Sequence, residues 1–135
     1  MNRERLLTII SLLSILLLSL HFVDDIVRRI SPPGADNIGA VVILLVWLYG
    51  ILMLGGRRIG YVIMLLGGVF AAAMPVVHMT GKSYPEIAVS AGGFFFVWSL
   101  VILGVLGAFS VILAARSLWD LRRTTKTANG TDERH

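Results

Sequence analysis

Residues 37–81 read NIGAVVILLVWLYGILMLGGRRIGYVIMLLGGVFAAAMPVVHMTG. The formally charged side chains in this stretch are Arg57 and Arg58, which directly follow Gly55-Gly56. On either side runs a continuous apolar segment, 37–56 and 59–81. A helix rises about 1.5 Å per residue and the hydrocarbon core of a bilayer is about 30 Å thick, so roughly 20 apolar residues make one crossing. Both segments have that length. Membrane barrel strands instead alternate apolar and polar residues over about ten positions, and no such alternation is present. Gly-Gly-Arg-Arg between the runs is a tight polar turn. The stretch therefore predicts two membrane-crossing helices joined by a short loop.

Two further apolar runs flank this pair, Leu6 to Val23 before it and Ile87 to Ala115 after it. Ser31-Pro32-Pro33-Gly34 and Gly81-Lys82-Ser83-Tyr84-Pro85 separate the runs with residues that cannot continue a helix. The pattern predicts helices near 5–30, 37–55, 59–80 and 92–119. Short loops make neighbours antiparallel. The expectation is an all-α integral membrane protein, an antiparallel four-transmembrane-helix bundle over residues 1–123. Thr124 to His135 is polar and aperiodic, which predicts a disordered cytoplasmic tail over 124–135. No internal repeat of useful length is present.

Composition agrees with lipid as the solvent. Of 135 residues, 56% are hydrophobic and 15% charged, against about 25% charged in an ordinary soluble domain. A chain this short lacks the interior volume to hide a mean hydropathy of +0.83. The absence of cysteine removes disulfides, thiolate metal sites and cysteine nucleophiles. The net charge of +4 is spread beside apolar segments and forms no continuous patch, so it argues for topology and against a nucleic-acid partner.

Orientation follows from the bias of Lys and Arg toward cytoplasmic loops. With the N-terminus inside, nine basic residues (Arg3, Arg5, Arg57, Arg58, Arg116, Arg122, Arg123, Lys126 and Arg134) are cytoplasmic and three (Arg28, Arg29 and Lys82) lie outside. The expected topology is N-in/C-in in a bacterial-type inner membrane. A cleaved signal peptide is the alternative reading of Arg3, Arg5 and the apolar stretch from Leu6 to Leu20. Against it, Ser19-Leu20-His21-Phe22 offers no small-x-small cleavage site.

Candidate chemistry gathers at the far end of the first helix. At 100° per residue, Ser14, His21, Asp25 and Arg28 fall within about 60° of one another, with Ser11 and Asp24 at the margins. Asp24 and Asp25 stand four residues before Arg28 and Arg29, a spacing that favours ion pairs on a helix. One reading makes Asp24, Asp25, Arg28 and Arg29 a structural cap at the membrane interface. The other uses Asp25 as a ligand, because His21 and His78 lie at similar depth near the outer ends of the first and third runs. Two histidines and a carboxylate suit a transition metal, and histidines from two helices suit a haem iron. Phe94, Phe95, Phe96 and Trp98 are expected to wall such a pocket. His135, at the end of the tail, is assigned no role.

Pro75 is expected to kink the third helix just before His78. The small-residue pairs Gly67 with Ala71, Gly68 with Ala72, and Gly104 with Ala108 predict close packing of the third and fourth helices. The same faces would also serve a second subunit, so a homo-oligomer or a larger membrane complex stands beside the lipid bilayer as an expected partner. Ionisable residues are missing from the middle of every apolar run, where coupled carriers keep theirs. No phosphate loop, serine elbow or zincin motif occurs. The sequence thus reads as a non-catalytic accessory or scaffold subunit, with a metal- or haem-binding membrane protein built on His21, Asp25 and His78 as the alternative.

Overall fold

A computed structural model describes residues 2–29, 34, 37–80, 87, 89, 90 and 92–132. It contains four long helices, α1 (Arg3–Val27), α2 (Ile38–Met53), α3 (Arg58–Met79) and α4 (Gly93–Asp132), and no strand among the described residues. Three of them, α1, α3 and α4 over Gly93–Thr124, are long and apolar enough to cross a membrane. With 16 residues, α2 is about 24 Å long, shorter than the crossing expected of it.

The ends of the helices have local causes. Leu6 N–H donates to the Asn2 carbonyl at 3.1 Å to open α1. At its other end Arg28 and Arg29 donate to the Asp24 and Ile26 carbonyls, and Arg29 takes a left-handed φ of 59° just past the last helical residue, Val27. Gly56 turns the chain between α2 and α3 with φ 76°, a conformation glycine adopts without a Cβ penalty. No proline stands between Gly93 and Asp132, so nothing breaks α4 where its composition turns polar. The helix runs on through residues expected to be a disordered tail, and 133–135 lie outside the described residues. The loops expected at Ser31 to Pro33 and at Gly81 to Pro85 lie outside them too.

Glycine decides how closely the helices approach. A Cβ on Gly107 would stand 2.5 Å from the Ala72 nitrogen and 2.7 Å from the Gly68 oxygen, so α3 and α4 touch backbone to backbone. A Cβ on Gly104 would meet the Pro75 ring at 2.6 Å. Pro75 thus fills a notch in α4. Two details differ from expectation. Ala108 is exposed, because α4 meets α3 through Gly104, Gly107 and Ser110, three residues apart. Gly67 faces α2, where its missing side chain makes room for the Trp47 indole. Trp47 is 1% exposed and joins Leu7, Leu18, Met64, Ala71 and Leu103 in the core.

Large apolar side chains cover the exterior, among them Leu16, Leu45, Leu66 and Val105, each more than half exposed. The interior carries the hydroxyls. Ser11 and Ser110 lie 3.1 Å apart, joining α1 to α4, and Ser14 donates to the Ile10 carbonyl at 2.9 Å. The first turns of α1 and α3 meet through Tyr61, which donates to Glu4 at 2.5 Å, and α1 meets late α4 through Arg3 with Asp120. The last turns of α1 and α3 meet the first turn of α4 around His21, His78 and Phe96.

Candidate metal centre

Spacing along α1 places Ser11, Ser14, Leu18, His21 and Asp25 on one face, and all five are buried. In a helix whose other faces are apolar, this stripe is what turns toward α3 and α4. Asp25 is 7% exposed and His21 3% exposed. From α3, His78 brings its Nε2 to 3.1 Å from Asp25 Oδ2, and His21 Nε2 lies 3.7 Å from Asp25 Oδ1. The two imidazoles touch edge to face, with centroids 4.8 Å apart and an interplanar angle of 77°. One ligand atom from each of His21, Asp25 and His78 falls within 4.8 Å of the others.

The hydrogen bonds constrain where the protons of this cluster sit. His78 Nδ1 lies 3.1 Å from the Met74 carbonyl one turn below it. A carbonyl only accepts, so Nδ1 carries the proton. In the neutral ring Nε2 is then a lone pair, and it points at a carboxylate oxygen that is also an acceptor. A 3.1 Å contact between them calls for a proton, on Nε2 or on the Asp25 carboxyl, or for a metal ion. His21 sharpens the point. Neither of its ring nitrogens has a hydrogen-bond partner among the described residues, and Asp25 Oδ1 has none either. Buried polar atoms left this way cost about 1–3 kcal/mol each, and a shared ion bound to His21 Nε2 and Asp25 would relieve that cost.

Ligands about 2.0–2.2 Å from a tetrahedral ion stand about 3.3–3.6 Å from one another. The two Asp25 to histidine separations, 3.1 and 3.7 Å to different carboxylate oxygens, lie near that value, whereas the three-residue set spreads to 4.8 Å, so a shared ion would draw the ligands together. The backbone bond at His78 Nδ1 is the kind of contact that orients a ligating imidazole. Haem does not fit. Axial imidazoles stand on opposite faces of a porphyrin, whereas these rings are in direct contact and leave no slot for a planar macrocycle.

A cavity of about 250 Å³ opens beside the three residues. Phe22 of α1, Phe70 and Met74 of α3, and Asn37 and Leu44 from the α2 side line it with them. The contribution of α2 had no signal in the sequence beyond a polar Asn37 at the start of an apolar run.

Other expected residues fall differently. Asp24 is taken by Arg28, whose Nε donates to it at 2.8 Å, and the Arg28 guanidinium also lies over the Phe96 ring at 5.7 Å and donates to Ser90. Half of the expected cap thus forms. Asp25 turns inward to the imidazoles, and Arg29, exposed and left-handed, is no longer in helical register with it. Of the expected aromatic wall, Phe96 alone is buried, with its ring 4.8 Å from His21; Phe94, Phe95 and Trp98 are 76%, 64% and 50% exposed. His135 lies outside the described residues. Searches of protein-family profiles, curated proteins and solved structures return no match to this chain.

Proposed function

We propose that the chain is an integral protein of a bacterial-type inner membrane, an antiparallel four-helix bundle with both termini cytoplasmic, that holds a divalent first-row transition metal through His21, Asp25 and His78 near its outer face. Supporting the membrane part are the three helices of crossing length, the apolar exterior, and the arginines of the α2–α3 turn and late α4. The reciprocal contacts of the two ends, α1 and α3 starting where α4 is well advanced, support the antiparallel arrangement. The shorter α2 crosses with help from its flanks and local bilayer thinning.

The observation that carries the metal assignment is the 3.1 Å approach of His78 Nε2 to Asp25 Oδ2, with His78 Nδ1 turned to a backbone carbonyl, beside a buried His21 with no hydrogen-bond partner. Two histidines and a carboxylate with room for a further ligand are a donor set for Zn²⁺ or Fe²⁺. The role of Asp25 is to supply charge that lets an ion enter a low-dielectric site. The role of the cavity is to leave a coordination position accessible.

A second reading draws on the same contact. A protonated His78 paired with Asp25 would pin α1 to α3 and nothing more, leaving a non-catalytic accessory or scaffold subunit that works through its helix faces. Chelator-stripped protein in detergent, titrated with Co²⁺ or Zn²⁺, separates the two. The metal reading expects about one ion per chain. It also expects at least a 100-fold loss for His21→Ala and for His78→Gln, since even the outer partners of metal ligands are worth 10–100-fold. His78→Gln retains an amide donor for Asp25, so a scaffold would tolerate it. No saturable binding, or binding indifferent to His21→Ala, would overturn the metal reading and leave the scaffold.

A further inference from the structure

At the opposite end from the histidines, the α2–α3 turn and α4 frame a cleft of about 200 Å³ lined by Gly56, Arg58, Leu121 and Arg122. We propose that this cleft binds the phosphate of an anionic phospholipid headgroup. The inference rests on the membrane reading above and is independent of the metal.

Charge is the first support. Both polar side chains lining the cleft are arginines from different elements, and both are exposed, as is the adjacent Arg57. The carboxylates of this end are occupied elsewhere: Asp120 pairs with Arg3, and Glu4, which lies beside Gly56, accepts from Tyr61 at 2.5 Å. Two arginines line one gap that no carboxylate lines, and guanidinium groups offer planar forks of N–H donors whose geometry matches phosphate oxygens. Gly56 turns the chain at the edge of the cleft with a φ of 76°, which excludes most side chains.

The surroundings decide between a lipid and a free phosphate. Apolar side chains border the arginines on the helix side: Met53 and Ile59 are 65% and 64% exposed, and Leu121 lines the cleft itself. In the bilayer that apolar rim lies against acyl chains, which brings lipid headgroups to the level of the arginines. A phospholipid places its phosphate between the arginines and its acyl chains along the exposed faces of α2 and α4. Basic pockets between membrane helices on the cytoplasmic side recognise anionic lipids in this way.

The test uses delipidated full-length protein in detergent, with phosphatidylglycerol, phosphatidylcholine or inorganic phosphate added, and bound lipid counted by native mass spectrometry. Phosphatidylglycerol should bind at least about tenfold better than phosphatidylcholine. A charge-assisted hydrogen bond to phosphate is worth at least about tenfold in affinity, so Arg58→Gln with Arg122→Gln should lose roughly 100-fold. Arg5→Gln with Arg116→Gln, which removes equal charge from the same end outside the cleft, should lose less than about threefold. Unchanged circular dichroism confirms that each pair folds. Equal losses in the two pairs would replace the site with diffuse attraction. Competition by inorganic phosphate at the lipid's own concentration would make it a soluble-anion site, and equal binding of the two lipids would remove it. A chain that stays in aqueous solution without detergent would instead refute the membrane reading on which the site depends.

Discussion

At the Glu4 end of the molecule, polar side chains meet in matched pairs: Tyr61 donates to Glu4, and Arg3 pairs with Asp120 while the two remain 42% and 57% exposed. At the Asp25 end, one carboxylate faces two imidazoles, all three largely out of solvent, and three polar atoms, both ring nitrogens of His21 and Asp25 Oδ1, have no hydrogen-bond partner among the described residues. Both ends tie α1 to its neighbours with few residues. The first does so at the low cost of exposed pairs, which are worth about 0–1 kcal/mol. The second bears the desolvation of buried ionisable groups and has not used up their bonding capacity. Unused capacity inside a low-dielectric setting is where an added cation is worth most, and it is the physical ground for placing function at Asp25 and anchoring at Glu4.

The largest effect expected from this contrast is all-or-none and concerns which compartment each end faces. A reporter enzyme active only outside the cytoplasm should be silent when fused after Arg123, beside the Glu4 end. It should be active when inserted between Pro32 and Asn37, beside the Asp25 end. The opposite pattern would invert the topology and put the histidines in the cytoplasm.

Substituting one aspartate at each end comes next in size. Asp25→Ala removes the partner of two buried imidazoles and should cost about 3–5 kcal/mol, the usual penalty for breaking a buried pair. Asp120→Ala should cost no more than about 1 kcal/mol. Denaturant melts of both variants in the same detergent supply the comparison. Similar losses at the two ends would mean that Asp25 is far better solvated than its 7% exposure implies.

The two ends also depend on a shared middle, which a packing change can test. A Cβ on Gly68 already lies 3.0 Å from the Ser110 Cβ and 3.1 Å from the Gly107 oxygen, so Gly68→Leu must push α3 from α4. The expected cost is about 1–3 kcal/mol, with Co²⁺ affinity falling as well because His78 moves with α3. Ile102→Leu, at a position 45% exposed on α4, should be nearly silent. A Gly68→Leu melt equal to that of the wild type would show that the helices can part there without loss.

How much of this was legible in the sequence depended on which helix carried contrast. The apolar runs announced all four helices, since length and continuity suffice for that. Helix α1 also revealed its inward face, because Ser11, Ser14, His21 and Asp25 mark it against leucines and isoleucines. The common depth of His21 and His78 brought the three site residues together before any coordinates did. The apolar parts of α2 and α4 offered no such mark. When lipid and protein interior are equally apolar, hydrophobicity does not distinguish the buried side of a helix from the exposed one. Phe96 therefore could not be told from Phe94, Phe95 and Trp98, nor could Gly107 be preferred over Ala108. Arg29 was misjudged for a different reason: i,i+4 pairing assumes that the helix continues, and it ends there.

The smallest predicted effect lies midway between the two ends, where Ser11 and Ser110 are both fully buried and 3.1 Å apart. A hydroxyl on a helix can also bond the carbonyl one turn back, as Ser14 does with Ile10, so either serine has an alternative when its partner is removed. That alternative limits the coupling. A double-mutant cycle with Ser11→Ala and Ser110→Ala should give an interaction energy of about 0.6 kcal/mol, the average for hydrogen bonds between membrane helices. Metal affinity should change less than about twofold, since neither serine touches the site. A coupling near zero would mean that neither hydroxyl depends on the other, Ser110 being served by the Met64 carbonyl of α3, 3.5 Å away. A coupling above about 2 kcal/mol would make the middle a third anchor comparable to the Asp25 end.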